Sequence, residues 1–578
     1  MSELTPQFVF VEPPPLVRNF DVLATAPGGV ARLRELFLAL AVHGKLVPQD
    51  TNDEPASSLL RRIFAEKDQL ALQGKIKRDK PLAVLTDDEE PFQQPKGWEW
   101  IRLGTIATIE RGGSPRPIQD FLTEAPDGFN WIKIGDTEKG GKYITVAKEK
   151  IRAEGLSKTR MVYPGDFLLT NSMSFGRPYI TQIEGCIHDG WLRISPPSSL
   201  NKDYLYTLLS SPFIRSLFEA AAAGGVVLNL NADKVRSIPI PLPPLREQAR
   251  IVAHVEELMK LCDALEQNGR LADEQHVRLT STLFDVLAAS ESVHALAENW
   301  QRVAKHFDLL LDRSDSVDAL EQTILQLAIR GLLVAQDARD GSAAALIGEI
   351  ESHKKRLVTQ GKLKSDKPLA DVEAAPFEVP PSWEWVRLGS IGEAFDYGTS
   401  QKSVDDPSAV PVLRMGNVQA GTVVMTGLKY LIDRQNDLPG LLLRPGDILF
   451  NRTNSYELVG KTGLYEGFRR DVTFASYLIR IRLPADLCSA QYVNMYMNSI
   501  DCRRHEIEPD LTQQTGQANY NGTKLRNIRV PLPPLGEQRR IVARVQELRD
   551  LCNGLRQRLT QAKEAQSRLA DVVVAEVG

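Results

Sequence analysis

Hydrophobic positions fall into two rhythms that alternate along the chain and then return. From about Gly29 to His43, Leu33, Leu36, Phe37, Leu40 and Ala41 recur at helical spacing and stop at Gly44, and Val317 to Gly331 repeats the pattern. Ala56 to Gln73 and Ala343 to Gln360 then mix charged with aliphatic residues and stop at Gly74 and Gly361, so helical hairpins are predicted over 29–73 and 316–360. After Pro-containing linkers, Trp98 to Leu103 and Trp383 to Leu388 alternate in character. They open segments rich in Gly, Ile, Val, Tyr and Phe, with turns such as Pro164-Gly165-Asp166. Two mixed globular domains are predicted there, over 96–245 and 382–535.

Each domain closes on Pro-Leu-Pro-Pro-Leu, and a long helix is predicted to start at Arg246-Glu247-Gln248 in one copy and at Gly536-Glu537-Gln538 in the other. Ile251, Val255, Leu258, Cys262 and Leu265 step by four and three, as do Ile541, Val545, Leu548, Cys552 and Leu555, the spacing of a coiled-coil seam. Helices of about 40 residues extend roughly 60 Å and need a cover for the apolar stripe. The simplest cover for each is its own duplicate, paired head to tail; the alternative is that each helix packs only on its own domain.

The repetition is explicit in the residues. Gly74-Lys75-Ile76-Lys77 returns as Gly361-Lys362-Leu363-Lys364, and Trp98-Glu99-Trp100-Ile101-Arg102-Leu103-Gly104 as Trp383-Glu384-Trp385-Val386-Arg387-Leu388-Gly389. Pro164-Gly165-Asp166 matches Pro445-Gly446-Asp447, and Pro241-Leu242-Pro243-Pro244-Leu245 matches Pro531-Leu532-Pro533-Pro534-Leu535. The flanks match closely while the offset wanders between them, so each copy is a fixed frame around a variable middle. The expected organisation is α+β: a tail (1–28), a helical hairpin region (29–95), a first globular domain (96–245), a spacer helix (246–290), a connector with a second hairpin region (291–381), a second globular domain (382–535) and a C-terminal spacer helix (536–578).

Composition narrows the function. With 42% apolar and 25% charged residues in 578, the chain is ordinary globular material for three or four units. There is no apolar run of about 18 residues, and the N-terminus lacks the order of a secretory signal, so a cytoplasmic protein is expected. The five cysteines form no C-x-x-C pair and read as reduced thiols without a metal. A net charge of −4 means that any nucleic-acid site must be locally basic.

Taken together, the doubled Pro-Leu-Pro-Pro-Leu-x-Glu-Gln, the Trp-Glu-Trp-x-Arg-Leu-Gly opening, the Pro-Gly-Asp turn and the Ala-x-x-Gly-x-Leu-Val-x-Gln-Asp at Ala41 to Asp50 and Ala328 to Asp337 resemble the specificity subunit of type I restriction-modification enzymes. The resemblance runs from about residue 30 to the C-terminus. It implies a two-headed reader of double-stranded DNA. Each globular copy would be a target recognition domain for one half of a split, asymmetric site, with the helices, as an antiparallel coiled coil, setting the unread gap. It also implies a subunit without catalysis of its own, which recruits two modification subunits and the restriction subunits. S-adenosylmethionine, ATP and Mg would belong to those partners, and no cofactor or metal to this chain. The rival reading is a coiled-coil scaffold that binds proteins.

The motifs agree with a chain that does no chemistry. No Asn-Pro-Pro-Tyr or Asp-Pro-Pro-Tyr, of the kind that helps hold a flipped base, is found. Gly460-Lys461-Thr462 resembles the end of a phosphate loop, but Ser455 stands where that loop needs glycine. Pro126-Asp127 is followed by no Glu-x-Lys, and the scattered histidines, His188 and His505 among them, make no ligand or triad spacing.

DNA contacts would then come from loops, with Lys and Arg on phosphates and Arg, Asn, Gln, Ser or Thr on base edges. Lys142, Lys148, Lys150, Arg152, Lys158 and Arg160 face only Glu149 and Glu154 within 142–160 and make the first candidate phosphate patch. Asn171, Ser172 and Arg177 after the first Pro-Gly-Asp turn align with Arg452, Asn454, Ser455 and Lys461 after the second. A further matched pair of loops carries Arg111, Ser114 and Arg116 in one copy and Ser400 and Lys402 in the other, with glycines expected to let backbone approach DNA. The hairpins offer either a solvated surface or one docking socket per copy for the modification subunits.

Overall fold

The computed structural model describes residues 18–76, 82–138, 140–171, 175–222, 230–364, 369–432, 438–468, 471–514 and 517–577. The chain divides into two units, Met1–Leu271 with Lys563–Gly578, and Ala272–Ala562. Their frames are built on helices α1 (Gly29–Val42), α2 (Ala56–Leu72), α3 (Leu245–Ala288), α4 (Ser314–Ile329), α5 (Ala343–Thr359) and α6 (Leu535–Val577). A short helix, Phe20–Thr25, precedes α1 within the segment expected to be a tail.

The hairpins form as their periodicity dictates. Leu33, Leu36, Phe37, Leu40 and Ala41 of α1 are buried, as are Ala56, Leu59 and Ile63 of α2 and the corresponding Ala343, Leu346 and Ile350 of α5. α1 stops where Gly44 takes φ 67°, which lets the Lys45 amide donate back to the Leu40 carbonyl at 2.9 Å. A β-carbon on Gly44 would also lie 2.4 Å from the Pro95 ring; Gly331 repeats both features, with φ 73° and Pro380 2.3 Å away.

The Pro-Leu-Pro-Pro-Leu motif now has a physical explanation. In the first unit Pro239–Leu242 pairs antiparallel with Glu99–Arg102, placing Pro239 and Pro241 opposite Arg102 and Trp100. A spacing of two lets both missing amide protons face away from the partner strand, so the prolines cost the ladder nothing. Buried Tyr204 donates to the Pro241 carbonyl at 3.0 Å, and Tyr492 to the Pro531 carbonyl at 2.7 Å. The Glu-Gln that follows ties helix to domain and hairpin. Glu247 accepts from Trp98 Nε1 at 2.9 Å and from Gln49 Nε2 at 2.7 Å, and Glu537 accepts from Gln336 Nε2 at 2.6 Å. Gln248 donates to the Pro243 carbonyl at 2.9 Å, and Gln538 to the Pro533 carbonyl at 2.8 Å. Burial pushes both carboxyls above the ordinary glutamate range, against the bonds that they accept.

Among the described residues the first globular domain has two five-stranded sheets. One has the order Thr108–Arg111, Trp191–Ser195, Phe167–Thr170, Pro178–Thr181, Tyr143–Ile144; the other is Leu122–Thr123, Glu149–Ile151, Phe129–Ile132, Gly185–Ile187, Arg160–Val162. The second domain keeps the equivalent of the first sheet's core, with Ala394–Tyr397, Leu478–Arg482 and Ile448–Asn451 side by side, but builds the rest differently. It adds a small sheet of Thr453–Asn454, Gln517–Asn519 and Thr512–Gln514. The divergent middle read in the sequence is thus a change of sheet, not only of loops.

The seam needs correction. Ile251 and Val255 sink into the core of the first globular domain. Leu258, Cys262 and Leu265 cluster with Leu33 and Phe37 of α1 and with Ala570 and Val573 near the end of α6. In the second unit, Ile541, Val545 and Cys552, with Leu548 and Leu555, share a core with Leu320, Ile324 and Leu325 of α4 and with Phe284 and Leu287 near the end of α3. Each unit therefore brings the first half of one long helix and the end of the other into one core, the head-to-tail order expected. The hairpin helix α1 or α4, however, covers much of the stripe that duplicate-on-duplicate packing was expected to cover. Arg34 bridges Asp263 and Glu266 of α3 at 2.5 and 2.9 Å, and Arg32 pairs with Asp571 of α6 at 2.7 Å. Arg549 and Arg556 of α6 pair with Glu321 of α4 at 2.9 and 2.6 Å.

Candidate nucleic-acid interface

In each domain the same three loops leave one end of the shared sheet. Arg111 pairs with Leu192, and Thr170 with Trp191. Tyr397 pairs with Ile479, and Asn451 with Leu478, in the second domain. Strand register therefore brings together the glycine loop (111–116; 398–402), the residues described after the Pro-Gly-Asp strand (171 and 175–177; 452–461) and the turn before the last strand (188–190; 475–477).

The glycines of the first loop pack closely on the protein's own backbone. A β-carbon on Gly112 would sit 2.2 Å from the His188 carbonyl oxygen, and one on Gly113 2.5 Å from that of Lys158. On Gly398 it would meet the carbonyl oxygens of Phe474 and Ala475 at 2.3 Å. The Gly112 amide donates to Trp191 O at 2.9 Å, and the Thr399 amide to Phe474 O at 2.9 Å. Close packing of the loop on the turn (His188; Ala475) and on the backbone of Lys158 and Phe474 thus requires residues without side chains at these positions.

In the first domain Arg111, Ser114, Arg116 and Asn171 converge on Asp189. Ser114 Oγ donates to Asp189 Oδ1 at 2.7 Å, Arg116 lies 3.3 Å from Oδ2, and Arg111 Nε and Asn171 Nδ2 donate to the Asp189 carbonyl at 3.2 and 2.8 Å. The hydrogen bond from Ser114 holds the Asp189 carboxyl below the usual range, against its partial burial. Buried Asn171 also bonds the turn through its amide, to Gly190 O at 3.0 Å. Arg452, its counterpart, donates to Ser476 O at 3.2 Å and stacks on the Tyr397 ring, 5.0 Å from the centroid. Asn171 and Arg452 are therefore braces of the turn. His188 is largely buried, which lowers its pKa, and its Nδ1 accepts from the Gly190 amide at 2.8 Å. His505 is exposed.

The basic stretch disperses. Lys142 is committed to Asp203 at 2.6 Å and lies over the Tyr206 ring; burial pushes its pKa down, but Asp203 outweighs that and holds it above the ordinary value. Lys148 and Lys150 donate to the carbonyls of Gly135 and Pro126 at 3.3 and 3.1 Å. Lys158 covers Phe121, and Arg160 lies 3.5 Å from Glu110. Arg152 and Arg177 are exposed, as are Ser400, Lys402 and Lys461 in the second domain. Asn454 Oδ1 accepts from the Ser455 amide at 2.9 Å, and both residues are half-buried. Ser172 lies outside the described residues.

The turn itself, Asp189 in one domain and Ser476-Tyr477 in the other, went unnoticed in the sequence. Aligning the final strands, Trp191-Leu192-Arg193-Ile194-Ser195 with Leu478-Ile479-Arg480-Ile481-Arg482, would have exposed it. Gly460-Lys461-Thr462 is no phosphate loop in the structure, since Thr462 is buried in a strand and donates to Asn494 Oδ1 at 2.8 Å. Among the described residues no cluster of three or more His, Cys, Asp or Glu is placed to hold a metal ion, and no helix is long and apolar enough to cross a membrane.

A family model described as the type I restriction modification DNA specificity domain matches residues 95–273 and 380–564. The chain is 35% identical over 571 residues to the type I restriction enzyme EcoEI specificity subunit of Escherichia coli, covering 94% of this chain and 93% of that one. It is 34% identical over 573 residues to the EcoAI specificity subunit of the same species, with the same coverage of both chains. A chain in a solved type I restriction-modification assembly is similar at a TM-score of 0.47 and 19% identity, over 84% of this chain and 99% of that one.

Proposed function

Because this chain belongs to the DNA specificity subunits of type I restriction-modification enzymes, we propose that each of its two recognition domains reads one half of a split DNA site through the three-loop cluster at the end of its shared sheet. The observation that carries this is one loop framework written twice with different side chains. It is a charged Arg111, Ser114, Arg116, Asp189 set in one copy and a set around Arg452, Tyr397 and Tyr477 in the other. Exposed Arg152, Arg177, Lys402 and Lys461 supply phosphate contacts, and groups held in the clusters face base edges. The chain brings no catalysis or cofactor of its own to the complex. It docks two modification subunits through the outward faces of the hairpins, with S-adenosylmethionine, ATP and Mg bound by the modification and restriction subunits.

The test is binding of the full chain, with its modification partner, to DNA carrying a split site, measured across a salt series. Sequence-selective binding that weakens steeply with salt supports the reading. Binding indifferent to sequence, full affinity from one half alone, or no binding at any salt contradicts it, and the last outcome favours a protein-binding scaffold.

A further inference from the structure

Arg116 and Asp189 stand on two of the converging loops and have bonding capacity to spare. The Arg116 side chain is 80% exposed and that of Asp189 40% exposed. Ser114 and Arg116 occupy two of the roughly four acceptor positions of the carboxylate, and Arg116 gives this contact one of about five N–H donors. The turn beneath is fixed by Arg111, Asn171 and the Asp189 amide, which donates to Ser114 Oγ at 3.3 Å. A cleft of about 590 Å³ bordered by Arg116, Trp131, Lys133 and His188 opens alongside. A donor fork and an acceptor carboxylate are thus held next to each other on a braced edge.

The edge that a G·C pair shows in the major groove has the complementary order. Guanine offers the O6 and N7 acceptors that arginine bridges, and cytosine offers beside them the N4 donor that a carboxylate accepts. We propose that Arg116 and Asp189 together read one G·C pair in the half-site of the first recognition domain. The inference rests on the reading that this domain binds DNA, and adds which residues discriminate and which base pair they choose. Ser114 keeps the carboxylate ionised and aimed, which makes it a positioning residue. The corresponding turn residue of the second domain is Ser476, with no carboxylate, so this device belongs to one half-site only.

The test is selection from a pool of split-site DNA with randomised half-sites, using the full chain in complex with its modification subunits. Wild type is compared with Arg116→Ala and Asp189→Asn. Arg116 is highly exposed and its pair contributes little to stability, while asparagine at 189 keeps an acceptor for Ser114, so both variants retain the fold. Wild type is expected to prefer G·C at one position, and both variants to lose that preference by on the order of 10- to 100-fold while the other half stays unchanged. Loss of affinity by one common factor for every sequence would make Arg116 a phosphate contact and overturn the inference. An intact preference in Asp189→Asn would overturn it as well. Either result leaves DNA reading standing, whereas a wild-type pool with no preference at any position removes both.

Discussion

Phe37→Ala tests the packing that replaced the expected helix seam. Phe37 is 3% exposed and shares a cluster with Leu33, Cys262, Ala570 and Val573, so its ring lies where α1 meets the first half of α3 and the end of α6. Truncating a buried phenylalanine costs about 3–5 kcal/mol. Phe64 on α2 is 44% exposed, and the same substitution there should cost about 0.5 kcal/mol or less. The matched pair holds chemistry and hairpin constant and varies only burial. Because Ala570 and Val573 lose a neighbour while the Arg32 bonds to Asp571 and Ser567 remain, the deficit should appear as faster opening of the 563–577 helix end. At about 3 kcal/mol that is on the order of a 100-fold loss of amide protection. Urea unfolding of both variants, with hydrogen exchange resolved for 563–577, measures it. Equal costs for Phe37→Ala and Phe64→Ala, or unchanged protection at 563–577, would refute the packing argument.

Gly112→Ala and Gly398→Ala should each destabilise their domain by about 1–3 kcal/mol, because the new methyl group meets backbone oxygen at 2.2 and 2.3 Å. Gly135→Ala, with nothing within 4 Å, is the neutral control in a thermal melt. Glu247 and Glu537 titrate above their ordinary range because of burial, so their contribution is full below the unfolded value and is lost as pH rises through the folded one. The double variant Glu247→Gln, Glu537→Gln should therefore gain on wild type in urea midpoint as pH rises above the ordinary glutamate value of about 4.3; parallel curves would contradict this. The five cysteines are free and buried, and burial lifts Cys186 and Cys488 to about 12. A thiol reagent should find almost none of them in the native chain at neutral pH and all five in denaturant.

Much of the frame was legible because it obeys local rules. Leu33 to Ala41 and Ile541 to Leu555 announce helices by spacing alone, and Gly44 and Gly331 mark ends that need positive φ. Spacing says which face is apolar but not what covers it, so the stripe through Cys262 suits a duplicate helix by pattern alone, whereas α1 takes much of it in the fold. The candidate site was legible as loops and poorly as residues. Lys142 counts as a positive charge in a sequence window but is spent on Asp203 once folded. Gly112 and Gly398 signal close approach without naming the partner, which proves to be the carbonyl groups of the neighbouring turn, His188 and Ala475. Asp189 carries no local signal, because its role comes from strand register that joins residues 75 positions apart in the chain.

If the two recognition domains read two separate half-sites, disabling one must leave the other's preference intact. Selection from a fully randomised DNA pool, comparing the wild-type complex with a chain carrying Ser400→Ala and Tyr477→Ala in the second loop cluster, decides whether they do. Two blocks of base preference separated by unread positions, with only one block eroded in the variant, is the predicted result. A single continuous block, or equal erosion of both, would contradict it.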